Sequence, residues 1–168
     1  MDVIEKEKNF RKKKPVSFSA VENYRLEWNL FDSPEDSLFL GSKLLNLVSQ
    51  QAIKVAENHA ETKLSGHSID FVRFHGHVHK GDILYISLSV NKVWTSSLEV
   101  GAKLTSDDFR TLEKKNVLTA YFTFDALDEK GEPILIDGVI PETKEQIQRF
   151  FSAEKRKSIK EHGLLPKL

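Results

Sequence analysis

Along the chain the hydrophobic period switches from irregular to helical to alternating. Between Ser17 and Glu27 polar residues mix with Phe18, Val21, Tyr24 and Leu26, which reads as a first strand. Asp32-Ser33-Pro34-Glu35-Asp36-Ser37 is a turn-rich loop. Leu44, Leu45, Val48, Ala52, Val55, Ala56 and His59 then recur at spacings of three and four. They predict one long amphipathic helix from about Gly41 to Thr62. After it the period falls to two. Ser65-Gly66 reads as a turn, Ser68 to Val78 as a strand with Ile69, Phe71 and Val72 apolar, and Lys80-Gly81-Asp82 as a hairpin turn. Leu84, Ile86, Leu88 and Val90 point one way, and Tyr85, Ser87, Ser89 and Asn91 the other. A fourth strand puts Leu98, Val100, Ala102 and Leu104 on one face. Charges break the alternation from Thr105 to Asn116, so this stretch is expected to be an insertion. The fifth strand, Val117 to Leu127, places Ala120, Phe122, Phe124 and Ala126 on one face, and Asp128 to Gly131 closes it. A second helix, Thr143 to His162, is rich in Lys and Glu and offers Ile147, Phe150 and Phe151 as its apolar face.

A strand, one long helix and four antiparallel strands define an α+β architecture: a five-stranded antiparallel sheet wrapped around one central helix, plus a C-terminal helix. That is the hotdog fold. It leaves an edge strand exposed, which edge-to-edge pairing of two copies would cover. The expected division is a basic mobile arm over residues 1–16, the hotdog domain over 17–141, and the C-terminal helix and tail over 142–168. Composition adds boundaries. The 168 residues contain 25 Lys plus Arg against 25 Asp plus Glu, so no cationic excess favours nucleic acid. There is no cysteine, which removes disulfides, thiolate metal sites and a cysteine nucleophile. No apolar run reaches the roughly 20 residues of a membrane helix. Met1 to Lys6 has no apolar stretch for a signal peptide, so a cytoplasmic protein is expected.

Several segments resemble the bacterial acyl-CoA thioesterases of the hotdog superfamily. Thr119 to Pro133 is similar to their last strand and turn, and Val139-Ile140-Pro141-Glu142-Thr143 to their exit into the C-terminal helix. Phe74-His75, Val78 and Gly81-Asp82-Ile83 resemble the middle of the sheet. Thr95-Ser96-Ser97-Leu98-Glu99-Val100 resembles the family's Thr-Ser strand start. Leu44-Leu45 and Asn58-His59-Ala60 resemble the central helix. The likeness spans about residues 17 to 155. It implies hydrolysis of fatty acyl-CoA to free acid and CoA without a cofactor, in a homodimer assembled as a trimer of dimers. It also implies the alternative of an acyl-thioester-binding protein with weak or lost hydrolysis. The departures sit at the chemical centre. The family's Phe-Gly-Gly helix opening is Leu40-Gly41-Ser42 here, its upstream Asn and Gly fall on Pro34 and Ser37, its acidic helix residue falls on Ser49, and a proline is replaced by His77.

Thioester hydrolysis needs donors for the developing oxyanion and a group that activates water. Gly41 and Ser42 are expected at the helix N-terminus, where free N–H groups suit an anion. Ser49 lies on the stripe with Leu45, Ala52 and Ala56 and either orients water or bonds back to its own helix. It cannot take up the proton a carboxylate would. Glu35 and Asp36 in the preceding loop, and Glu22 on the first strand, are the alternative carboxylates. By resemblance, Thr95, Ser96 and Ser97 line the CoA channel at the subunit interface; Phe74 and His75 are further substrate-binding candidates, His75 near the thioester or the pantetheine arm, and Lys92 with nearby basic residues is a candidate for the nucleotide phosphates. His75, His77 and His79 alternate on one strand face with Asp82 nearby, a spacing compatible with metal. The family pattern puts an ordinary strand and turn there, so no metal is expected. His59, at the end of the helix, is expected to meet the helix dipole.

Overall fold

Five antiparallel strands form the main sheet, side by side in the order Val21–Leu26, Ile83–Trp94, Ser97–Asp107, Lys114–Asp125 and Ser65–Phe74. The computed structural model describes residues 10–26, 37–79, 81–108, 111 and 113–161. The elements are β1 (Lys13–Pro15), a 3-10 turn (Val16–Phe18), β2 (Val21–Leu26), α1 (Ser37–Ala60), β3 (Ser65–Phe74), β4 (Ile83–Trp94), β5 (Ser97–Asp107), β6 (Lys114–Asp125), β7 (Gly138–Ile140) and α2 (Lys144–Glu161). Helix α1 crosses one face of the sheet, against β4, β5 and β6. Leu84, Ile86, Val90, Leu98, Val100, Leu104, Leu118 and Ala120 are fully buried there, together with Val48, Ala52 and Ala56 of the helix. The two periods read from the sequence therefore meet in one core.

Helix α2 lies across the opposite face. Its start is a capping box: Thr143 Oγ1 accepts from the Gln146 N–H at 3.2 Å, and Gln146 Oε1 accepts from the Thr143 N–H at 3.2 Å. Its Arg156 makes two bonds to buried Glu99, at 2.9 and 2.6 Å, and stacks 3.6 Å over the Tyr121 ring. Asn91 Nδ2 donates to the same carboxylate at 2.8 Å. Position 101 must be glycine for this group to close, because a Cβ there would lie 2.5 Å from Asn91 Nδ2. Gly101→Ala is expected to cost about 1–3 kcal/mol of folding stability, the usual range for overpacking, read by urea denaturation.

Several expectations are corrected. The insertion at Thr105 to Asn116 shrinks to the connection 108–113, because β5 continues to Asp107 and β6 starts at Lys114 in paired register. The charges belong to strand ends, and Lys114 covers the Tyr85 ring at 5.1 Å. Lys80-Gly81-Asp82 does not close a hairpin, since β3 pairs with β6 while β4 pairs with β2 and β5. Ser65 and Gly66 already belong to β3, opposite Asp125 and Phe124. The end of the basic segment is docked: Lys13–Pro15 pairs in parallel with Gly138–Ile140. Arg11 Nε and Lys14 Nζ sit 3.0 and 2.9 Å from the buried Asp137 carboxylate. On α2, Phe150 and Ala153 are buried, whereas Ile147 and Phe151 stay exposed.

Candidate active site

Gly41 and Phe74 meet at one end of the sheet. A Cβ on Gly41 would lie 3.2 Å from Cζ of Phe74, so the missing side chain is what lets the ring close on the helix. The ring is half exposed. His75 follows it, with its N–H donating to the Val117 carbonyl at 2.8 Å and its Nε2 sharing a 3.0 Å hydrogen bond with Thr119 Oγ1. Ser42 is exposed on the same turn of α1, and Ser49 is half-buried two turns further on. Ser49 Oγ donates to the Asn46 carbonyl at 2.8 Å. Of the two roles expected for this hydroxyl, back-bonding to its own helix is present.

The helix begins at Ser37, four residues before the start expected at Gly41. The unpaired donors of a helix are its first four N–H groups, so those of Gly41 and Ser42 lie beyond them. What the two positions offer is an open backbone at Gly41 and a hydroxyl at Ser42. Sequence missed this because Ser37 closes the turn-rich stretch from Asp32 and Gly41 reads as the helix opening.

Thr95, Ser96 and Ser97 lie at the other end of the sheet. Ser97 pairs with Asp125 of β6, whereas Phe74 pairs with Leu118. Seven residues of strand separate those levels, about 23 Å at about 3.3 Å per residue. Thr95 and Ser96 form the β4–β5 turn, with their carbonyls accepting from Ile136 N–H at 3.1 Å and Ala126 N–H at 2.7 Å. Ser97 borders a cavity of about 400 Å³ with Trp94, Arg156 and Lys157 among its walls. One chain therefore brings together Gly41, Phe74 and His75, and holds Thr95 to Ser97 apart from them.

The remaining candidates separate as well. Lys92 is buried, with Nζ 2.9 Å from Glu154 and 4.0 Å from the Phe150 ring centroid, so it anchors α2 rather than reaching phosphate. His59 is fully buried rather than placed as a charged partner for the helix dipole. Its Nε2 donates to the Asp137 carbonyl at 3.1 Å, and Ser19 Oγ bonds Nδ1 at 3.4 Å. Burial holds its pKa below the ordinary 6.5, so the ring is neutral. The histidine ladder does not converge, because His75 is turned to Thr119 and His79 lies 3.7 Å from Asp82. Glu22 borders a cavity of about 360 Å³ on the α2 side of the sheet, away from α1. Glu35 and Asp36 lie outside the described residues. Sequence reasoning also missed a groove of about 340 Å³ between α1 and β2, lined by Tyr24, Gln51, Val55, Asn58 and Ile86. Its signal was faint: a polar residue, Gln51 or Asn58, flanking each turn of the apolar stripe.

No protein-family model matches the chain. A Bacillus subtilis protein named as an uncharacterized acyl-CoA thioester hydrolase, YkhA, is 30% identical over 136 residues, 79% of this chain and 79% of that one. Among solved structures, the acyl-CoA hydrolase of Staphylococcus aureus, in complex with butyryl-CoA, CoA and CoA disulfide, superposes with a TM-score of 0.80 at 26% identity, covering 91% of this chain and 93% of that one. An apo-hexameric acyl-CoA thioesterase gives a TM-score of 0.83 at 25% identity over 93% of this chain and 99% of that one.

Proposed function

Because the chain belongs to the hotdog-fold acyl-CoA thioester hydrolases, we propose that it binds acyl-CoA and splits it with water into free acid and CoA, at two composite sites across a dimer. The observation that carries this reading is the separation of the two residue groups along β6, between its Leu118 and Asp125 levels. Strand β3 is a sheet edge, with no strand on its outer side among the described residues. Ile69, Phe71 and Phe74 on it are 49%, 43% and 50% exposed, an apolar edge that soluble proteins cover. Antiparallel pairing of β3 with its copy reverses one subunit against the other. The Phe74 end of one then faces the Ser65 end of the partner, and Ser65 is level with Ser97, two strands in, along the shared Asp125 register of β6. Gly41, Ser42, Ser49, Phe74 and His75 of one subunit approach the partner subunit's Thr95, Ser96 and Ser97 twice per dimer.

In that arrangement Gly41 gives the thioester close access to the helix, and Ser42 Oγ–H supplies a donor for the carbonyl oxygen. Ser49 accepts a hydrogen bond from water through its free lone pair. Phe74 forms the apolar wall, His75 borders the thioester, and the threonine-serine turn holds the pantetheine amides and phosphates of CoA. No cofactor takes part. Three dimers make a hexamer in this reading, and a hexameric acyl-CoA thioesterase is among the similar structures. We place the protein in the cytoplasm. Among the described residues no helix is long and apolar enough to cross a membrane. The absence of cysteine suits a reducing compartment.

Light scattering at micromolar concentration is expected to give a multiple of two chains, and a 19.2 kDa particle would overturn the composite site. Ile69→Lys puts a charge into the proposed β3 seam. It is expected to yield monomers that stay folded and release CoA from acyl-CoA at least about tenfold more slowly, because misplacement of positioning groups costs about that much or more. Monomers with full activity would defeat the shared site. A second reading, a binder that hydrolyses poorly, is favoured by one observation: the Ser49 hydroxyl proton is committed to the Asn46 carbonyl.

A further inference from the structure

Away from the proposed thioester site, His79, Asp82 and Asp108 each bring a ligand atom to within 4.8 Å of the other two. They join the β3–β4 connection to the end of β5. The side chains of Asp82 and Asp108 are 1% and 4% exposed, so two carboxylates are buried side by side. Burying one charge is costly, and burying two of like sign demands a cation. The described residues supply one, Lys115, whose Nζ lies 2.9 Å from Asp108 Oδ2 and whose side chain is 41% exposed. That cation bonds Asp108, and one oxygen of Asp82 is left over. The orphan is visible: Asp82 Oδ1 is buried and accepts no hydrogen bond.

Each carboxylate is held from behind. Asp82 Oδ2 accepts from the His79 N–H at 2.9 Å, and Asp108 Oδ1 accepts from the Thr111 N–H at 3.3 Å. Backbone donors on one oxygen fix the orientation in which the other oxygen can ligate. We propose that His79, Asp82 and Asp108 form a binding site for one divalent transition-metal ion, with water completing its coordination. One imidazole with two carboxylates matches zinc or manganese better than magnesium, which rarely takes a nitrogen ligand. Ligand distances of about 2.0–2.2 Å require the three groups to close slightly around the ion. Lys115 then swings to solvent, its place taken by a doubly charged ion. The ion ties the β3–β4 connection, which begins just after Phe74 and His75, to the β5–β6 connection. Its role is to brace that end of the sheet and not to take part in hydrolysis.

Protein purified without an affinity tag and stripped with chelator is titrated with zinc chloride or manganese chloride alone. Calorimetry and elemental analysis after desalting report the stoichiometry, and thermal unfolding reports the brace. One ion per chain and a raised melting temperature are expected. Asp82→Asn and Asp108→Asn are expected to weaken binding at least about 100-fold, beyond the range for groups that only support a ligand. Lys115→Gln removes the competing cation and is expected to tighten it. His75→Ala and His77→Ala leave it unchanged. Should Asp82→Asn misfold, Asp108→Asn and His79→Gln carry the test by themselves. Failure of the wild type to bind either ion below millimolar concentration would overturn the proposal. Binding that survives Asp108→Asn, or depends on His75 or His77, would also overturn it.

Discussion

Ser49→Asp is expected to raise the rate of thioester hydrolysis at least about tenfold. A positioned general base is worth about 10²–10⁴ in rate, and serine has no proton affinity with which to supply it. Position 49 is where the resemblance puts the family's acidic residue. The structure leaves it half-buried beside the apolar stripe of α1, on the same helix as Gly41 and Ser42. The native hydroxyl spends its proton on the Asn46 carbonyl, so it can accept from a water but cannot deprotonate it. The chain has no cysteine, so a thiol reagent reports released CoA with no background from the protein. Glu35→Gln and Asp36→Asn are expected to change the rate little. A Ser49→Asp protein that folds, binds CoA and gains nothing would defeat this assignment. A collapse in either loop variant would move the base to the preceding loop.

The elements were legible where the information was local. The period of two in β4 and β5 and the stripe of α1 each fix a face without reference to any other strand, and all three faces are buried as the pattern predicts. Partnership was less legible. Lys80-Gly81-Asp82 carries good turn chemistry, and Gly81 takes a φ of 100° there, but a turn says that the chain reverses and not which strand it returns to. Strand β3 sits beyond β5 and β6, at the far edge from β2. The basic arm misled for the same reason. Nothing near Arg11 or Lys14 predicts order, since the acid that holds them is Asp137, 126 positions from Arg11. In the candidate site, the approach of Gly41 to Phe74 was not legible, because the two come from distant segments, and Thr95 to Ser97 lie at the other end of the sheet.

Acidification is expected to loosen the docked N-terminal segment in two separate windows, because two titratable groups lie beneath it. His59 is neutral in the fold, its pKa lowered first by burial and also by the Lys14 charge, against the hydrogen bond to the Asp137 carbonyl. The unfolded chain binds a proton below about pH 6.5 and the folded chain does not, so stability falls as pH drops from 6.5 toward the folded pKa. Burial pushes the Asp137 pKa up, but Arg11 and Lys14 outweigh it and hold it below the ordinary 3.8. Its contribution is complete above 3.8 and is lost as pH falls through the lower folded value. Asp137→Asn keeps the shape and removes the charge. It leaves Lys14, whose side chain is 11% exposed, with half-exposed Glu61 at 3.3 Å as its remaining carboxylate among the described residues, beside the His59 carbonyl at 2.8 Å. The expected cost is about 3 kcal/mol, the lower end for stranding a buried charge, read by urea denaturation at pH 7. His59→Gln is expected to destabilise at every pH, so its diagnostic is the slope of stability between pH 7 and 5, which should flatten while the acid-side loss below 3.8 persists. An unchanged slope in His59→Gln would show that His59 titrates alike in the folded and unfolded chain. A stability loss in Asp137→Asn within about 0.5 kcal/mol, the range of ordinary surface substitutions, would show that the arm is not held by this carboxylate.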